Sequence, residues 1–564
     1  MSDHQFKHTN DQRRASLVFS QGKPSLYSPN DFINSPSSTI DEDDQQQQNE
    51  SSSLLNNQNL YHYQSINRKS TELLEEERNL LRNNDLYNSD QNSDDIPETW
   101  ETAIKSGLLK TSFNLETRSL TKSAAPLIVT FLLQNSLSLA SIFSVGHIGK
   151  SELAGITLGS MTANITGFAA IQGLTTCLDT LCSQAFGAGK FELVGLNFLR
   201  CSIFAITCFL PISIIWIFGS EFLLSFIVPD PELIKIASNY LRVVCWGMPG
   251  FIFFECGKRF LQCQGIFHAS TYVLLICAPL NALLNWALVW KFGLGYIGAP
   301  IAITINYWLM PLGLLFYTLI YDQETLRCWP KDFKFEQTFQ NWSKMIQLAL
   351  PGVIMVEAEF LGFEIVTIMA SNLGTTELAS QSVACSIVAL AYQVPFSVSI
   401  ATATRVANYI GASLTQNGKK CCKASMNLGF WIGLINSTII WIFRYQITSF
   451  FTNDQEVIER IVGIMPIMFI YEIVDCLNAC SAGCLRGQGL QKIGSWINIF
   501  SFYIVGLPIS YILTFKFNWN LWGLWSGILT GLISISILQA ITVFYYCDWD
   551  KIVDDAKKRN EDVV

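Results

Sequence analysis

The sequence predicts an all-α polytopic membrane protein with twelve transmembrane helices in two homologous six-helix bundles. Of its 564 residues, 50% are hydrophobic and only 15% are charged, which is too apolar for a soluble protein of this length. After residue 120 the chain is a succession of apolar stretches, each long enough to cross a bilayer. A pattern in the first six stretches returns in the last six. The first two observations predict the membrane class, and the third predicts the two halves.

The first 120 residues differ in composition from the rest. They are rich in Asn, Ser and Gln, with four consecutive glutamines at 45–48, and have few clustered apolar side chains. Such a segment buries too little surface to offset the conformational entropy lost on folding. We therefore expect residues 1–120 to form a disordered cytosolic tail. Many of the acidic residues behind the net charge of −8 lie there, so this charge predicts no nucleic-acid surface.

Twelve apolar stretches follow this tail. At about 20 residues for each crossing, they predict transmembrane helices over residues 121–145, 152–186, 191–218, 231–256, 267–291, 298–321, 345–371, 377–409, 419–444, 455–484, 494–516 and 521–547. The linker at 322–344 divides them into an N-terminal bundle, 121–321, and a C-terminal bundle, 345–547. Residues 548–564 are a predicted cytosolic C-terminal tail.

The distribution of Lys and Arg predicts the orientation in the membrane. The even-numbered connections carry most of them, namely Lys190, Lys258, Arg259, Arg327, Lys331, Lys334, Lys344, Lys419, Lys420, Lys423 and Lys492. The other connections carry only Lys150, Lys291, Arg444 and Lys516. Because positive charge accumulates on the cytosolic side, both termini are predicted to be cytosolic.

An internal repeat relates the two halves. HIGKSELA at 147–154 recurs as NLGTTELA at 372–379, a shift of 225 residues, and LQCQG at 261–265 recurs as LRGQG at 485–489, a shift of 224. Six crossings are an even number, so both halves enter the membrane in the same orientation. An axis along the membrane normal then relates them, and the cleft between them is the natural substrate site. This plan suits alternating access.

Four segments together resemble the multidrug and toxic compound extrusion (MATE) transporters of eukaryotes. LDTLCSQAFGAGK at 178–190 is similar to the second-helix signature of that family. RFLQCQG at 259–265, TRVANYIGAS at 404–413 and DCLNACSAGCLRGQG at 475–489 are similar to its fourth, eighth and tenth helices. The resemblance extends from about residue 121 to residue 549. It implies a transporter of small organic compounds, and the asparagine-rich tail favours a fungal member.

Asp179 is a carboxylate inside the second predicted helix. It precedes Gly187 by eight residues, about 12 Å along a helix, so we expect it in the cytosolic third of the membrane. Polar side chains lie near it on the same helix, at Thr176, Thr180, Ser183 and Gln184, and Thr176 and Ser183, at i−3 and i+4, share its face and could satisfy it. Two interpretations stay open. Asp179, Thr180, Ser183 and Gln184 form a structural or gating polar cluster, or Asp179 acts as an ion relay.

A second group of acids lies in helices seven and ten. Its members are Glu357, Glu359, Glu364, Glu472 and Asp475. Glu359 lies about 22 Å along helix seven from Lys344, and Asp475 lies about 16 Å along helix ten from Arg486, so both are near mid-depth. Burial there disfavours the charged form of a carboxyl group. Such a group can bind a proton in one conformation and release it in another.

The resemblance assigns roles to part of this group. It implies proton coupling and substrate binding at Glu359 and Asp475, and Glu364 also matches an acidic position of the family. Glu357 is an addition, and for Glu357 and Glu472 a functional and a structural role both stay open. Asn478, one turn beyond Asp475, belongs to the same predicted site.

Helix one departs from the bacterial members of the family. Many of those carry an aspartate five residues before the glycine of the first turn, where this chain has Ser141 before Gly146. The other polar residues of this helix do not titrate either. The resemblance therefore favours proton coupling through the C-terminal half.

These observations predict a secondary active antiporter. We expect it to export small organic compounds, cationic or amphipathic, in exchange for protons as the coupling ion, from a vacuolar or plasma membrane. An enzyme is not expected, because the chain has no Walker loop and no recognisable catalytic triad. No metal is expected either, because no histidine lies near the cysteines at helical spacing in helix ten. The expected partners are the substrates and membrane lipid, without nucleic acid or an obligate protein partner.

Two alternative functions stay open. A lipid flippase of the same superfamily would share the twelve helices but would call for a more basic cavity. A non-transporting membrane receptor would give the buried acids no titrating role.

Overall fold

The computed structural model describes residues 113–561, apart from positions 227 and 332, and the regular elements of that part are helices. The predicted tail over 1–112 therefore lies outside the described residues. Twelve long helical segments follow one another in the predicted order: α1 (Phe113–Gly146), α2 (Lys150–Gly187), α3 (Phe191–Ser225), α4 (Pro231–Cys245 and Met248–Cys263), α5 (Ala269–Lys291), α6 (Gly295–Tyr321), α7 (Trp342–Ser371), α8 (Thr375–Gly411), α9 (Thr415–Ile442), α10 (Gln455–Gln488), α11 (Gln491–Lys516) and α12 (Asn520–Tyr546).

Nine of the helices in the described residues are long and apolar enough to span a membrane. The other three long segments are α4, α7 and α10. α4 is interrupted at residues 246–247. α7 and α10 carry the acids that the sequence singled out. α4 and α10 carry buried charged residues, among them Glu255 in α4 and Glu472 and Asp475 in α10, and the acids of α7 are half-buried.

Most helix ends differ from the predicted ones by a few residues, and three differences change the role of a segment. Residues 113–120, predicted as tail, already belong to α1, because Leu115 and Leu120 pack into the core of the C-terminal half. α4 continues to Cys263, so Lys258 and Arg259 are buried helical residues and not part of a connection. Part of the predicted C-terminal tail forms a thirteenth helix, α13 (Trp549–Asn560).

The packing of α2 against α8 reflects the internal repeat. A Cβ atom at Gly187 would overlap the carbonyl oxygen of Asn408, and a Cβ at Gly411 would overlap the carbonyl oxygen of Gln184. Gly187 and Gly411, like Gln184 and Asn408, stand 224 residues apart in the sequence. Each half thus presents the same glycine to the same backbone position of the other, as a two-fold relation between repeats requires. Glycine is needed here because the two backbones touch.

Each half has its own core, and a smaller cluster joins them. One core unites apolar side chains of α1 to α6, and two others belong mainly to α7 to α12. The joining cluster contains Leu127 and Phe131 of α1, Phe267 of the turn before α5, and Ile400 of α8. α1, α2, α7 and α8 line the boundary between the halves. The predicted cytosolic side, where α1 begins and α2 ends, is the side on which Gly187 meets α8.

Candidate functional site

Three acids of the C-terminal half meet between α7 and α10. Glu359, Glu472 and Asp475 are here called the acid group, and Asp475 lies close enough to each of the two glutamates for their charges to interact. Glu472 and Asp475 are 1% and 0% exposed, and Glu359 is half-buried. Tyr392 of α8 and Tyr471 of α10 adjoin them. The structure therefore brings together residues of three helices that are distant in sequence.

The acid group has no basic counterpart in the part of the chain that the structure describes. No Lys, Arg or His within the described residues lies within ion-pair distance of its three carboxylates. Both oxygens of Asp475 also lack a partner in hydrogen-bonding geometry there, although Asn478 lies beside it. An unpaired charge is costly to bury, so such carboxyls favour a bound proton or a cation. The arrangement can exchange one for the other.

Glu472 is the member of the acid group with a defined partner. Asn436 of α9 donates its side-chain N–H to Oε1 of Glu472 over 2.6 Å, and it also lies 3.3 Å from the carbonyl oxygen of Ala391. Oε2 of Glu472 has no hydrogen-bond partner among the described residues. Glu472 thus links the acid group to Asn436 of α9, which in turn contacts α8 at its interruption between Thr375–Ala391 and Gln393–Gly411.

Glu357 and Glu364 lie apart from the acid group. Glu357 is close to Tyr503 of α11, and Glu364 is close to Cys385 of α8. Both are half-buried. On a helix with 100° per residue, Glu359 lies about 140° from Glu364 and about 160° from Glu357. The six residues predicted as one site therefore divide into the acid group with Asn478, and two acids that face other helices.

The N-terminal half holds a different cluster of buried charges. Nζ of Lys258 lies 2.7 Å from Oε1 of Glu255, and Nη1 of Arg259 lies 2.7 Å from Oε2 of the same carboxylate. Nε of Arg259 lies 3.2 Å from Oδ1 of Asp179. Gln134 of α1 also donates to Glu255, over 3.1 Å. We call Asp179, Glu255, Lys258 and Arg259 the paired cluster, since its two acids and two bases balance.

The paired cluster corrects the predicted surroundings of Asp179. Thr176 donates its hydroxyl to the carbonyl of Gly173, and Ser183 has no hydrogen-bond partner among the described residues. Neither satisfies Asp179, whose partner is Arg259. The sequence interpretation missed Glu255, Lys258 and Arg259 because the two bases were assigned to a connection. The i, i+3 and i, i+4 spacing of Glu255 to them was the available signal.

Thr180 and Gln184 contact the opposite half. The hydroxyl of Thr180 donates to the carbonyl oxygen of Arg486 over 2.6 Å and accepts from Nε2 of Gln491 over 2.7 Å. Nε2 of Gln184 donates to the carbonyl oxygen of Gly487 over 3.2 Å. Together with the glycine contacts of α2 and α8, these bonds close the boundary between the halves on the predicted cytosolic side.

Aromatic side chains cross the boundary between the acid group and the paired cluster. The rings of Tyr392 and Phe396 are stacked at 5.6 Å, and Phe396 meets Phe131 of α1 at 5.0 Å. Nζ of Lys258 lies 4.9 Å from the centre of the Phe131 ring, and the guanidinium of Arg486 lies 5.9 Å from that of Phe396. The two charged regions are thus joined through a short aromatic path.

A cavity of about 430 Å³ lies elsewhere, between α1 and α5. It is lined by Ala140, Phe143, Ser144, His147, Ala282, Trp286 and Trp290. These residues are near the ends of α1 and α5 that are remote from the hydrogen bonds of Thr180 and Gln184. None of the predicted site residues lines this cavity, so it is not the predicted proton-coupling and substrate site.

Comparison with known families finds one model that matches twice. The MatE model matches residues 126–287 and again residues 351–512, once in each half.

Within the described residues, no cluster of three or more His, Cys, Asp or Glu side chains could hold a metal ion.

The relatives are transporters. An uncharacterized transporter of Saccharomyces cerevisiae is 42% identical over 455 residues, which cover 80% of this chain and 64% of that protein. Another from Schizosaccharomyces pombe is 38% identical over 473 residues, or 82% of this chain and 87% of that protein. Multidrug and toxin extrusion protein 2 of Mus musculus is 29% identical over 453 residues, or 80% and 78%.

Solved structures share the fold. The crystal structure of the eukaryotic MATE transporter AtDTX14 superposes with a TM-score of 0.75, at 27% identity, over 79% of this chain and 99% of that chain. An outward-facing multidrug resistance MATE family transporter gives 0.69 at 17% identity, over 78% and 97%. The match in both halves, the relatives and the fold agree with the predicted family. The chain belongs to the MatE family and is a eukaryotic multi-pass membrane transporter, not an enzyme.

Proposed function

We propose that the protein is a proton-coupled antiporter that exports small organic compounds, cationic or amphipathic, by alternating access. The observation that carries this proposal is the acid group of Glu359, Glu472 and Asp475, which has no basic partner among the described residues. The names of two relatives, Multidrug and toxin extrusion protein 2 and Protein DETOXIFICATION 9, support export of harmful compounds.

The acid group offers one site to two cations. A proton neutralises a buried carboxyl directly, and an organic cation neutralises it by binding beside it. The proton and the organic cation compete for the same carboxylates. Protons that arrive from one side therefore promote release of the substrate on that side. Asp475 and Glu359 are the exchange residues in this scheme, and Asn478 assists Asp475. Glu472, which accepts a hydrogen bond from Asn436, influences the proton affinity of Asp475 by its charge.

The aromatic path supplies the proposed contacts for the organic part of the substrate. Tyr392 adjoins the acid group, Phe396 stacks on Tyr392, and Phe131 faces Phe396 from the other half. Aromatic faces attract cations and flat apolar groups without demanding one shape. Broad recognition of cationic compounds follows from this combination of rings and carboxylates.

The contacts of α2 with α8 and α10 are the proposed cytosolic gate. Thr180 and Gln184 bind backbone carbonyls of the opposite half, and Asp179 is held by Arg259 immediately beside them. Backbone contacts of this kind can separate without leaving an ion pair broken. We further propose that both termini are cytosolic, in a vacuolar or plasma membrane, so that an acidic opposite compartment drives export.

The test is substrate flux in proteoliposomes that contain the purified full-length chain. A fluorescent organic cation is added to vesicles whose lumen is either more acidic or more alkaline than the outside. We expect its flux to saturate with concentration and to dissipate the proton gradient. Replacing sodium with potassium should leave the flux unchanged. Flux of labelled phospholipid without flux of any cation would contradict the proposal and favour a flippase, and the absence of both would favour a receptor.

A further inference from the structure

α13 is an amphipathic helix that covers the predicted cytosolic side. Its buried residues recur at helical spacing, at Trp549, Ile552, Val553, Ala556 and Asn560. The side chain of Asp548 caps its first turn by accepting from the backbone N–H groups of Asp550 and Lys551. The helix is therefore a defined element with one face for packing, and its sequence position after α12 had suggested only a tail.

The first two turns of α13 are anchored on the C-terminal half. The ring of Trp549 packs against Gly418, where a Cβ atom would approach it to 2.7 Å, and Nζ of Lys419 lies 5.9 Å from its centre. Ile552 and Val553 share a core with side chains of α8 and α9. This end of α13 would move together with the C-terminal half.

The last turn of α13 reaches the N-terminal half. Nδ2 of Asn560 lies 3.3 Å from the carbonyl oxygen of Gln184, at the end of α2. Nζ of Lys190, in the turn after α2, donates to the carbonyl oxygen of Asn560 over 2.6 Å. Gln184 is the same residue whose side chain bonds Gly487 at the gate. α13 therefore crosses the boundary beside the gate contacts.

A second lysine binds the same helix end from the other side. Nζ of Lys344, at the start of α7, lies 3.3 Å from the carbonyl oxygen of Lys558 and 3.2 Å from that of Arg559. The last carbonyls of a helix lack partners within the helix and carry partial negative charge. Lys190 and Lys344 thus cap one helix terminus, each from a different half of the transporter.

We infer that α13 is a clasp that holds the cytosolic side closed and is released when the halves separate there. Its anchored end stays on the C-terminal half, and separation withdraws Lys190 and Gln184 from its last turn. The closed state gains the contacts of Asn560 and Lys190, which the open state lacks, so the clasp shifts the equilibrium toward closure. This inference rests on the proposed alternating access and adds a conformational control outside the substrate site.

Hydrogen–deuterium exchange of the purified protein in lipid nanodiscs tests the clasp without any substrate or proton gradient. The readout is the exchange rate in peptides that contain the ends of α2 and α8, around Gly187 and Gly411. Lys190→Met keeps the length of the side chain and removes the ammonium group. We expect it to speed exchange about two- to fivefold, and a chain ending at Cys547 to speed it by more than about tenfold.

Lys492→Met is the matched control, because Lys492 is an exposed lysine in the first turn of α11, on the same side of the protein. It should leave exchange at both helix ends unchanged. Lys190→Met also guards against misfolding of the shortened chain, since it leaves the packing of Trp549 and Val553 intact. An unaltered rate in Lys190→Met would overturn the inference even if the shortened chain exchanged faster, and so would an equal increase in Lys492→Met.

These outcomes separate the clasp from the proposed transport function. Faster exchange in Lys190→Met supports the clasp even if the wild-type chain moves no organic cation in vesicles. Proton-driven flux in the wild type together with unchanged exchange in both clasp variants would leave the antiport proposal standing and overturn the clasp.

Discussion

The two halves use the same helical positions for opposite purposes. Gln134 of α1 and Glu359 of α7 stand 225 residues apart, the shift that relates helices one to three to helices seven to nine. Gln134 donates to Glu255 inside the paired cluster, whereas Glu359 belongs to the acid group. Asp179 corresponds to Ala403 at the shift of 224 that also relates Gly187 to Gly411. Duplication therefore fixed the scaffold, and the charges were placed separately in each half.

The difference teaches what buried charge can do in a membrane transporter. In the paired cluster, each carboxylate has a basic neighbour, so its charges stabilise one another and none needs to change. In the acid group no basic neighbour is present within the described residues, so neutralisation must come from a proton or a bound cation. The first arrangement supports a rigid half, and the second supports exchange.

The largest expected effect comes from neutralising the acid group. Glu359→Gln and Asp475→Asn keep the shape of each side chain and remove its titration. We expect each to reduce proton-driven flux about 100-fold or more, because the exchange site can no longer alternate between proton and substrate. The measurement is initial flux of an organic cation in vesicles with an imposed pH gradient.

Thermal unfolding of the same two variants in detergent is the control. Removing an unpaired buried charge should leave the melting temperature equal to or above that of the wild type. Wild-type flux and wild-type pH dependence in both variants would contradict the division between the halves.

Substitutions in the paired cluster should lower the free energy of unfolding, whereas substitutions in the acid group should lower the proton-driven flux. Arg259→Met leaves Asp179 and one side of Glu255 without their base, so we expect a loss of about 3 to 5 kcal/mol in the free energy of unfolding. Arg242→Met is the matched control, because Arg242 pairs with Glu221 over 2.9 Å with side chains 38% and 55% exposed. That surface pair should be worth about 1 kcal/mol or less.

A second substitution sharpens this test. Asp179→Asn in the Arg259→Met background removes one of the two charges left without a partner, and it should recover part of the lost stability. A double variant as unstable as Arg259→Met alone would indicate that the arginine acts through packing and not through its charge.

Local sequence patterns predicted most of the fold and part of the site. Hydrophobic length predicted all twelve helices, and the repeat predicted the symmetric contact of Gly187 and Gly411. The acids of α7 and α10 stood out because carboxylates are rare in apolar segments. Which of them meet was not predictable from one chain, because that depends on how α7 and α10 pack.

The misses share one physical cause. Lys258 and Arg259 looked like the cytosolic end of a helix because isolated bases usually mark such ends. Their burial depends on Asp179, which is about 80 residues away in sequence, and on Glu255, so a tertiary contact overrode a local rule. Residues 113–120 and α13 were assigned to tails for the same reason, since their apolar faces are matched only by distant helices.

A smaller effect is expected at Glu472. Substituting it tests whether two or all three acids of the acid group take part in the exchange. Glu472→Gln keeps an acceptor for Asn436 and removes one charge. We expect proton-driven flux to fall about three- to tenfold with a changed pH profile, because Glu472 acts on Glu359 and Asp475 without replacing them. The measurement is flux against pH on both sides of the vesicle. A loss as complete as in Asp475→Asn would make Glu472 an exchange residue.

The smallest effect is expected at Glu357, which shares α7 with Glu359 but not its surroundings. Glu357 lies beside Tyr503 of α11, and the acid group faces α8 and α10 instead. Glu357→Gln should therefore change proton-driven flux by less than about twofold, with an unaltered pH profile and melting temperature. Glu357 and Glu359 are two residues apart on one helix, so they lie at nearly the same depth in the membrane but on different faces. The same measurement on both variants therefore shows the effect of the side-chain direction alone. Equal losses of flux would show that any carboxylate at this depth of α7 suffices, and the contrast between the halves would then reduce to the number of acids.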